Sequence, residues 1–131
     1  MERYFTPAEA NEALAQVRPL AERMVELRQK LLEAEAREEE IAAKVAGNGG
    51  GIDLGAAAEA RAGIDAATRD LAAAVDDIVA LGVQVKDLDT GLLDFPSLRD
   101  GEEVLLCWRL GEDEVAWWHR PEDGFAGRRP L

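Results

Sequence analysis

The residues able to do chemistry crowd into the last third of the chain. Asp87-Leu88-Asp89-Thr90-Gly91 sets two carboxylates one residue apart. On a strand such a pair shares a face, where it can ligate a hard cation through oxygen or hold one proton between its members. The plainer alternative is a turn, with Asp89 capping Thr90-Gly91 and Asp87 paired to an arginine. Cys107 is the single cysteine. Between Leu106 and Trp108 it reads as a buried core residue, and as a nucleophile only if a positive neighbour lowers its pKa. His119, the single histidine, closes Trp117-Trp118-His119, so any imidazole chemistry must use it. Alternation sets Trp117 and His119 on one face and Trp118 on the other, so one tryptophan needs cover from a helix, a partner or a ligand. Glu112 joins Asp87, Asp89 and His119 as a candidate metal or ligand site. The tail Asp123-Gly124-Phe125-Ala126-Gly127-Arg128-Arg129 supplies two arginines that can grip a carboxylate or phosphate. Its plainer role is to tie itself down, with Phe125 buried and an arginine paired to Asp87, Asp89 or Asp94.

Familiar constellations are missing: no phosphate loop, no GxGxxG, no HExxH, no CxxC and no serine elbow. With 27 acidic against 15 basic residues the formal net charge is −12. That balance speaks against gripping a nucleic-acid backbone or an anionic membrane surface. One cysteine excludes an internal disulfide and any multi-cysteine zinc site. The start, Met1-Glu2-Arg3, lacks the basic and apolar regions of a secretory signal, and no apolar run is long enough to span a bilayer. A cytoplasmic protein is the expectation.

The elements that must position these residues divide sharply. Of 23 alanines, 21 lie between Ala8 and Ala80, whereas Trp108, Trp117 and Trp118 all come later. Alanine favours helix and Val, Trp and Phe favour strand. Thr6-Pro7-Ala8-Glu9 fits a capping box with proline at the first helical position. Next comes a stripe spaced three and four: Ala10, Ala13, Val17, Leu20, Met24, Leu27, Leu31, Ala34, Glu38, Ile41, Val45. Pro19 predicts a kink or two helices meeting at an angle. The glycine loop 47–51 stops the helix. A second stripe, Ala57, Ala60, Ile64, Ala67, Leu71, Ala74, Ile78 and Leu81, starts after Asp53 as N-cap and ends at Gly82. An antiparallel hairpin over 7–81 results, whose segment before Pro19 overshoots and lies beside the chain beyond Gly82.

After Gly82 the apolar period becomes two. A strand over 83–88, a short one over 92–95 stopped by Pro96, the best strand over 103–110 and another over 114–119 are expected, with turns at Asp89-Thr90-Gly91, Arg99-Asp100-Gly101-Glu102 and Gly111-Glu112-Asp113. The fold class is α+β: a long antiparallel helical hairpin (1–82), then a small antiparallel β module with an irregular Gly/Arg tail (83–131), forming one folding unit.

Val85-Lys86-Asp87-Leu88-Asp89-Thr90-Gly91-Leu92-Leu93-Asp94-Phe95-Pro96, Leu106-Cys107-Trp108-Arg109-Leu110-Gly111-Glu112, Trp118-His119 and Gly124-Phe125-Ala126-Gly127-Arg128, with the opening Tyr4-Phe5-Thr6-Pro7-Ala8-Glu9-Ala10-Asn11, form an ordered set. This set resembles the bacterial family known as domain of unknown function 2203, over nearly the whole chain. The resemblance implies a small bacterial protein with no assigned activity. It favours the C-terminal blocks as the functional end.

Two functional readings stand. The first is a structural or interaction protein rather than an enzyme, a homodimer assembled through its helices and displaying the β module. Val25, Leu32, Leu54, Val75 and Val79 lie off the stripes and need cover. The second is a small enzyme or a metal- or anion-binding module. It would use Asp87, Asp89, Glu112 and His119 for a divalent metal, Arg128 and Arg129 for an anion, and Cys107 as the remaining nucleophile candidate. The small-molecule ligand is undefined by sequence.

Overall fold

The computed structural model of the chain describes residues 3–48 and 54–131. Helix α1 spans Pro7–Asn48 and α2 spans Leu54–Ala80. The capping box forms as read: the Thr6 N–H donates to Glu9 Oε1 at 2.9 Å and the Glu9 N–H donates to Thr6 Oγ1 at 3.1 Å. These bonds hold the Glu9 carboxyl below its ordinary range, the Thr6 backbone bond being the larger cause. The chain does not divide at Pro19, which is an interior residue of one helix. Pro19 and Ala15 are both exposed, so the Ala15 carbonyl deprived of its donor faces water. Gly47 continues α1; Gly49 to Gly51 and the Asp53 cap lie outside the described residues.

The helices pack as a hairpin along two seams. In α2 the buried positions are Ala60, Ala67, Leu71, Ala74 and Ile78, all on the expected stripe. In α1 the stripe holds at Ala10, Val17, Met24, Leu27, Leu31 and Ala34. Around the proline it slips by one residue, so that Leu14 and Ala21 are buried while Ala13 and Leu20 are only half-buried. A period of 3.6 drifts against a strict seven-residue repeat, and the sheet packs beside this stretch on a second face.

Five strands form an antiparallel sheet in the order β1-β2-β3-β4-β5. They are β1 Gln84–Asp87, β2 Leu92–Arg99, β3 Glu102–Arg109, β4 Trp117–His119 and β5 Arg129–Pro130. Three features differ from expectation by more than one residue. Pro96 does not stop β2, β4 begins at Trp117 instead of Glu114, and the end of the tail pairs with β4. Asp100 and Gly101 both have positive φ, 53° and 81°, which makes the β2–β3 link a two-residue turn whose twist matches its strands.

The sheet's inner face meets the hairpin. Leu93, Phe95, Val104, Leu106, Trp108 and Trp118 share one core with Val17, Met24, Leu71 and Ile78. Phe5 joins them edge-on to Phe95, with ring centroids 5.3 Å apart, and its N–H donates to the Pro96 carbonyl at 2.7 Å. The early turns of α1 do lie beside the later chain. Asn11 exchanges two hydrogen bonds with the backbone of Val115, and Arg18 donates to the carbonyls of Glu112 and Asp113. No described helix is long and apolar enough to cross a membrane.

Candidate functional site

The outer face of the sheet, turned away from the helices, is where polar groups collect. The β2–β3 turn fixes a register in which Asp94 stands opposite Cys107 and Pro96 opposite Leu105. Counting back from the turn-closing pair Arg99–Glu102, Asp94 and Cys107 form a non-hydrogen-bonded pair, whose side chains approach most closely. Strand β4 then sets Trp117 opposite Cys107 and His119 opposite Leu105. Asp94, Cys107 and His119 therefore share one face on three adjacent strands. They are 2 %, 1 % and 3 % exposed.

The ring of His119 reaches across β3 to Asp94, with Nε2 at 3.0 Å from Oδ1. Its Nδ1 lies 2.8 Å from the Arg120 carbonyl oxygen. A carbonyl has no proton to give, so Nδ1 carries the hydrogen and donates it. Nε2 and the carboxylate then face each other, and a proton must lie between them, on the ring or on the carboxyl. Cys107 completes the group: one donor atom from each residue lies within 4.8 Å of the other two. Burial first, and the Asp94 carboxylate second, push the Cys107 thiol up to about 12, so it is protonated and unreactive at neutral pH.

The tail covers this face. Arg128 lies over the rings of Trp117 and Phe125, its guanidinium carbon 4.8 and 4.7 Å from their centroids. It also donates to Glu112 Oε2 at 2.6 Å, while Glu112 Oε1 accepts from the Arg109 N–H at 2.7 Å. Arg128 is close enough to counteract part of the rise at Cys107. Arg129 takes the inner side, with its guanidinium 5.5 Å from the Trp118 ring. The tryptophan facing away from the core is thus covered by the chain's own arginine.

The expected aspartate pair is elsewhere and serves the turn. Asp87 accepts from the Thr90 hydroxyl at 2.6 Å and from the Asp89 N–H at 3.4 Å. The Thr90 bond is the main reason its carboxyl lies below the usual range. Asp89 accepts from Arg28 Nε at 3.0 Å. The turn reading is right with its roles exchanged: Asp87 caps and Asp89 pairs. Neither shares a site with His119, whose carboxylate partner is Asp94, and the tail arginine pairs with Glu112 instead of Asp87 or Asp89. Of the four residues expected to meet, only His119 belongs to the buried group. Surface clefts such as the one along the hairpin lined by Arg23, Lys30 and Asp70 do not reach it.

Both the hairpin and this sheet fall within residues 3–131, the stretch matched by the family model DUF2203, described as an uncharacterized conserved protein. The chain belongs to the DUF2203 family. No curated protein and no solved structure matches it significantly. Every residue of the outer-face group in this DUF2203 chain lies within the matched stretch, including Asp94, which the sequence offers as a partner for the tail. Its signal was present: a two-residue turn at Asp100-Gly101 pairs residues whose numbers sum to 201, and 94 and 107 do so.

Proposed function

We propose that this protein is a small cation-binding module, with the outer face of its sheet as the site and the helical hairpin as the support for the inner face. One observation carries the reading: in the buried outer face the Asp94 carboxylate and His119 Nε2 stand 3.0 Å apart, two acceptors whose slot must hold a positive charge, a proton in the unbound chain, with the Cys107 sulfur beside them. Outer faces of one-layer sheets are ordinarily wet and alternate to polar surface. Here that face is sealed over three ionisable groups instead. A reducing cytoplasm suits the reading, because a free thiol lies beside the slot.

The test is a thermal-shift series with Mg2+, Ca2+, Mn2+ and Zn2+ on the wild type and on Asp94→Asn. The asparagine amide can donate to the His119 ring nitrogen, so the fold survives while the carboxylate is gone. At 100 times the dissociation constant, a bound ion adds about 2.7 kcal/mol to apparent stability. A wild-type midpoint raised by at least one of the ions, and unmoved in Asp94→Asn, supports the module. Equal behaviour of the two proteins removes it.

Self-association through the helices is the second reading, favoured by Leu32, Leu54 and Val79, which are 44 %, 74 % and 53 % exposed on the hairpin. Light scattering at micromolar concentration is expected to give twice the 14.2 kDa chain mass. Leu32→Glu or Val79→Glu returns it to one chain, and a wild-type mass of 14.2 kDa refutes the dimer.

A further inference from the structure

We infer that Asp94, Cys107 and His119 form a three-ligand site for a divalent ion of the zinc class, with the Cys107 sulfur as its third donor. The inference rests on the cation-binding reading and names the ion and the chemistry. Sulfur, imidazole nitrogen and carboxylate oxygen together are a borderline-soft set that suits zinc and its neighbours, while magnesium and calcium take oxygen alone. Each ligand comes from a different strand, so a rigid sheet fixes the separations, and the donor atoms already lie within 4.8 Å of one another. His119 holds the tautomer such a site requires. Its Nδ1–H is tied to the Arg120 carbonyl, which leaves Nε2 to face the Asp94 carboxylate.

Charge balance makes the exchange permissible in so buried a place. Before binding, the group is neutral: a thiol, a carboxyl–imidazole pair and one proton shared between that pair. A divalent ion takes the place of two protons, one from the Cys107 sulfur and one from the slot between Asp94 and His119. The product, one divalent cation with a thiolate, a carboxylate and a neutral imidazole, is again neutral. No net charge is buried, so the desolvation cost that normally opposes a lone ion in a protein interior does not arise. The nearby Arg128 guanidinium is already matched by Glu112 at 2.6 Å, so its charge does not repel the incoming ion unopposed. Three protein ligands leave a fourth position of a tetrahedral ion for water or a small anion, the arrangement of reactive zinc sites as opposed to closed structural ones.

The experiment uses the full chain, stripped of metal in denaturant and refolded with Co2+, so that slow entry into a buried site does not pass for lack of affinity. The expected result is one Co2+ per chain with a sulfur-to-cobalt charge-transfer band, which Zn2+ abolishes by displacement. Calorimetry in buffers of differing ionisation enthalpy is expected to show two protons released per Zn2+. Cys107→Ser keeps the fold, checked by its unfolding midpoint, but loses the band. His119→Gln and Asp94→Asn weaken binding by more than the roughly 10–100-fold that loss of an outer hydrogen-bond partner costs. Four outcomes overturn the inference: no ion taken up on refolding, cobalt bound without the charge-transfer band, a band that persists in Cys107→Ser, or binding of Mg2+ or Ca2+ alone. The last leaves the cation-binding reading standing, whereas refolded protein that takes up no ion removes both.

Discussion

Asp87 illustrates how much a single exposed carboxylate can be asked to do. It locks the β1–β2 turn by accepting from Thr90 Oγ1 and the Asp89 backbone, and these bonds hold its pKa down. A carboxyl depressed in the folded chain contributes stability that is present above the unfolded value, about 3.9 for aspartate. That contribution is lost as pH falls through the lower folded value. Asp87→Asn is therefore expected to lower the urea midpoint at pH 7, and the gap to wild type should close as the pH drops below about 4. A gap independent of pH would show that the carboxylate's charge is not what the turn uses. Reading the turn from Asp, Thr and Gly was sound because turn chemistry is local. Asp94 was harder. Its role depends on residues 13 and 25 positions away, and no spacing within its own segment announces them.

The β2–β3 hairpin is the element on which that role hangs, and ending β2 at Pro96 hid it. Proline lacks one donor, but it harms a sheet only where that donor is needed. Pro96 forms a non-hydrogen-bonded pair with Leu105, so its nitrogen points away from β3, and β1 has already finished pairing at Asp94. Its carbonyl is used by Phe5. The positive-φ glycines of the sheet separate two kinds of constraint. At Gly91 (φ 69°) a Cβ would lie 2.9 Å from Leu110 Cβ and 3.2 Å from a methyl of Val25, where the β1–β2 turn meets α1. At Gly101 (φ 81°) a Cβ would meet open space. Gly101→Ala should cost only the left-handed strain, about 1–2 kcal/mol. Gly91→Ala should cost that plus about 1–3 kcal/mol of overpacking. Denaturant unfolding of the two variants measures the difference, and equal losses would mean the Gly91 contact relaxes freely. Helices and the period switch at Gly82 were legible because each is written in adjacent residues. The tail strand was not, since two residues of β5 carry no period at all.

Across the whole molecule, burial is distributed unevenly along the hairpin. The buried residues of α1 stop at Ala34, although the helix continues to Asn48, and the first buried residue of α2 is Ala60. Beyond Ala34 the seam offers Glu38, with Ile41 and Val45 only half-buried, and its ion pair from Arg61 to Glu38 is a solvent-exposed one at 3.9 Å. Such pairs contribute about 0–1 kcal/mol. The far end of the hairpin is therefore held weakly, while the near end shares one core with the sheet. Local opening tracks the same gradient. All three tryptophans belong to the sheet end, so fluorescence watches one part of the molecule and helical ellipticity largely watches the other. On heating, ellipticity is expected to begin its fall while tryptophan emission is still native. Amide protons near Ala42 should exchange with deuterium well ahead of those near Val17. Melting is then a fraying that travels inward before it becomes cooperative, and the temperature at which this chain unfolds depends on which end is asked.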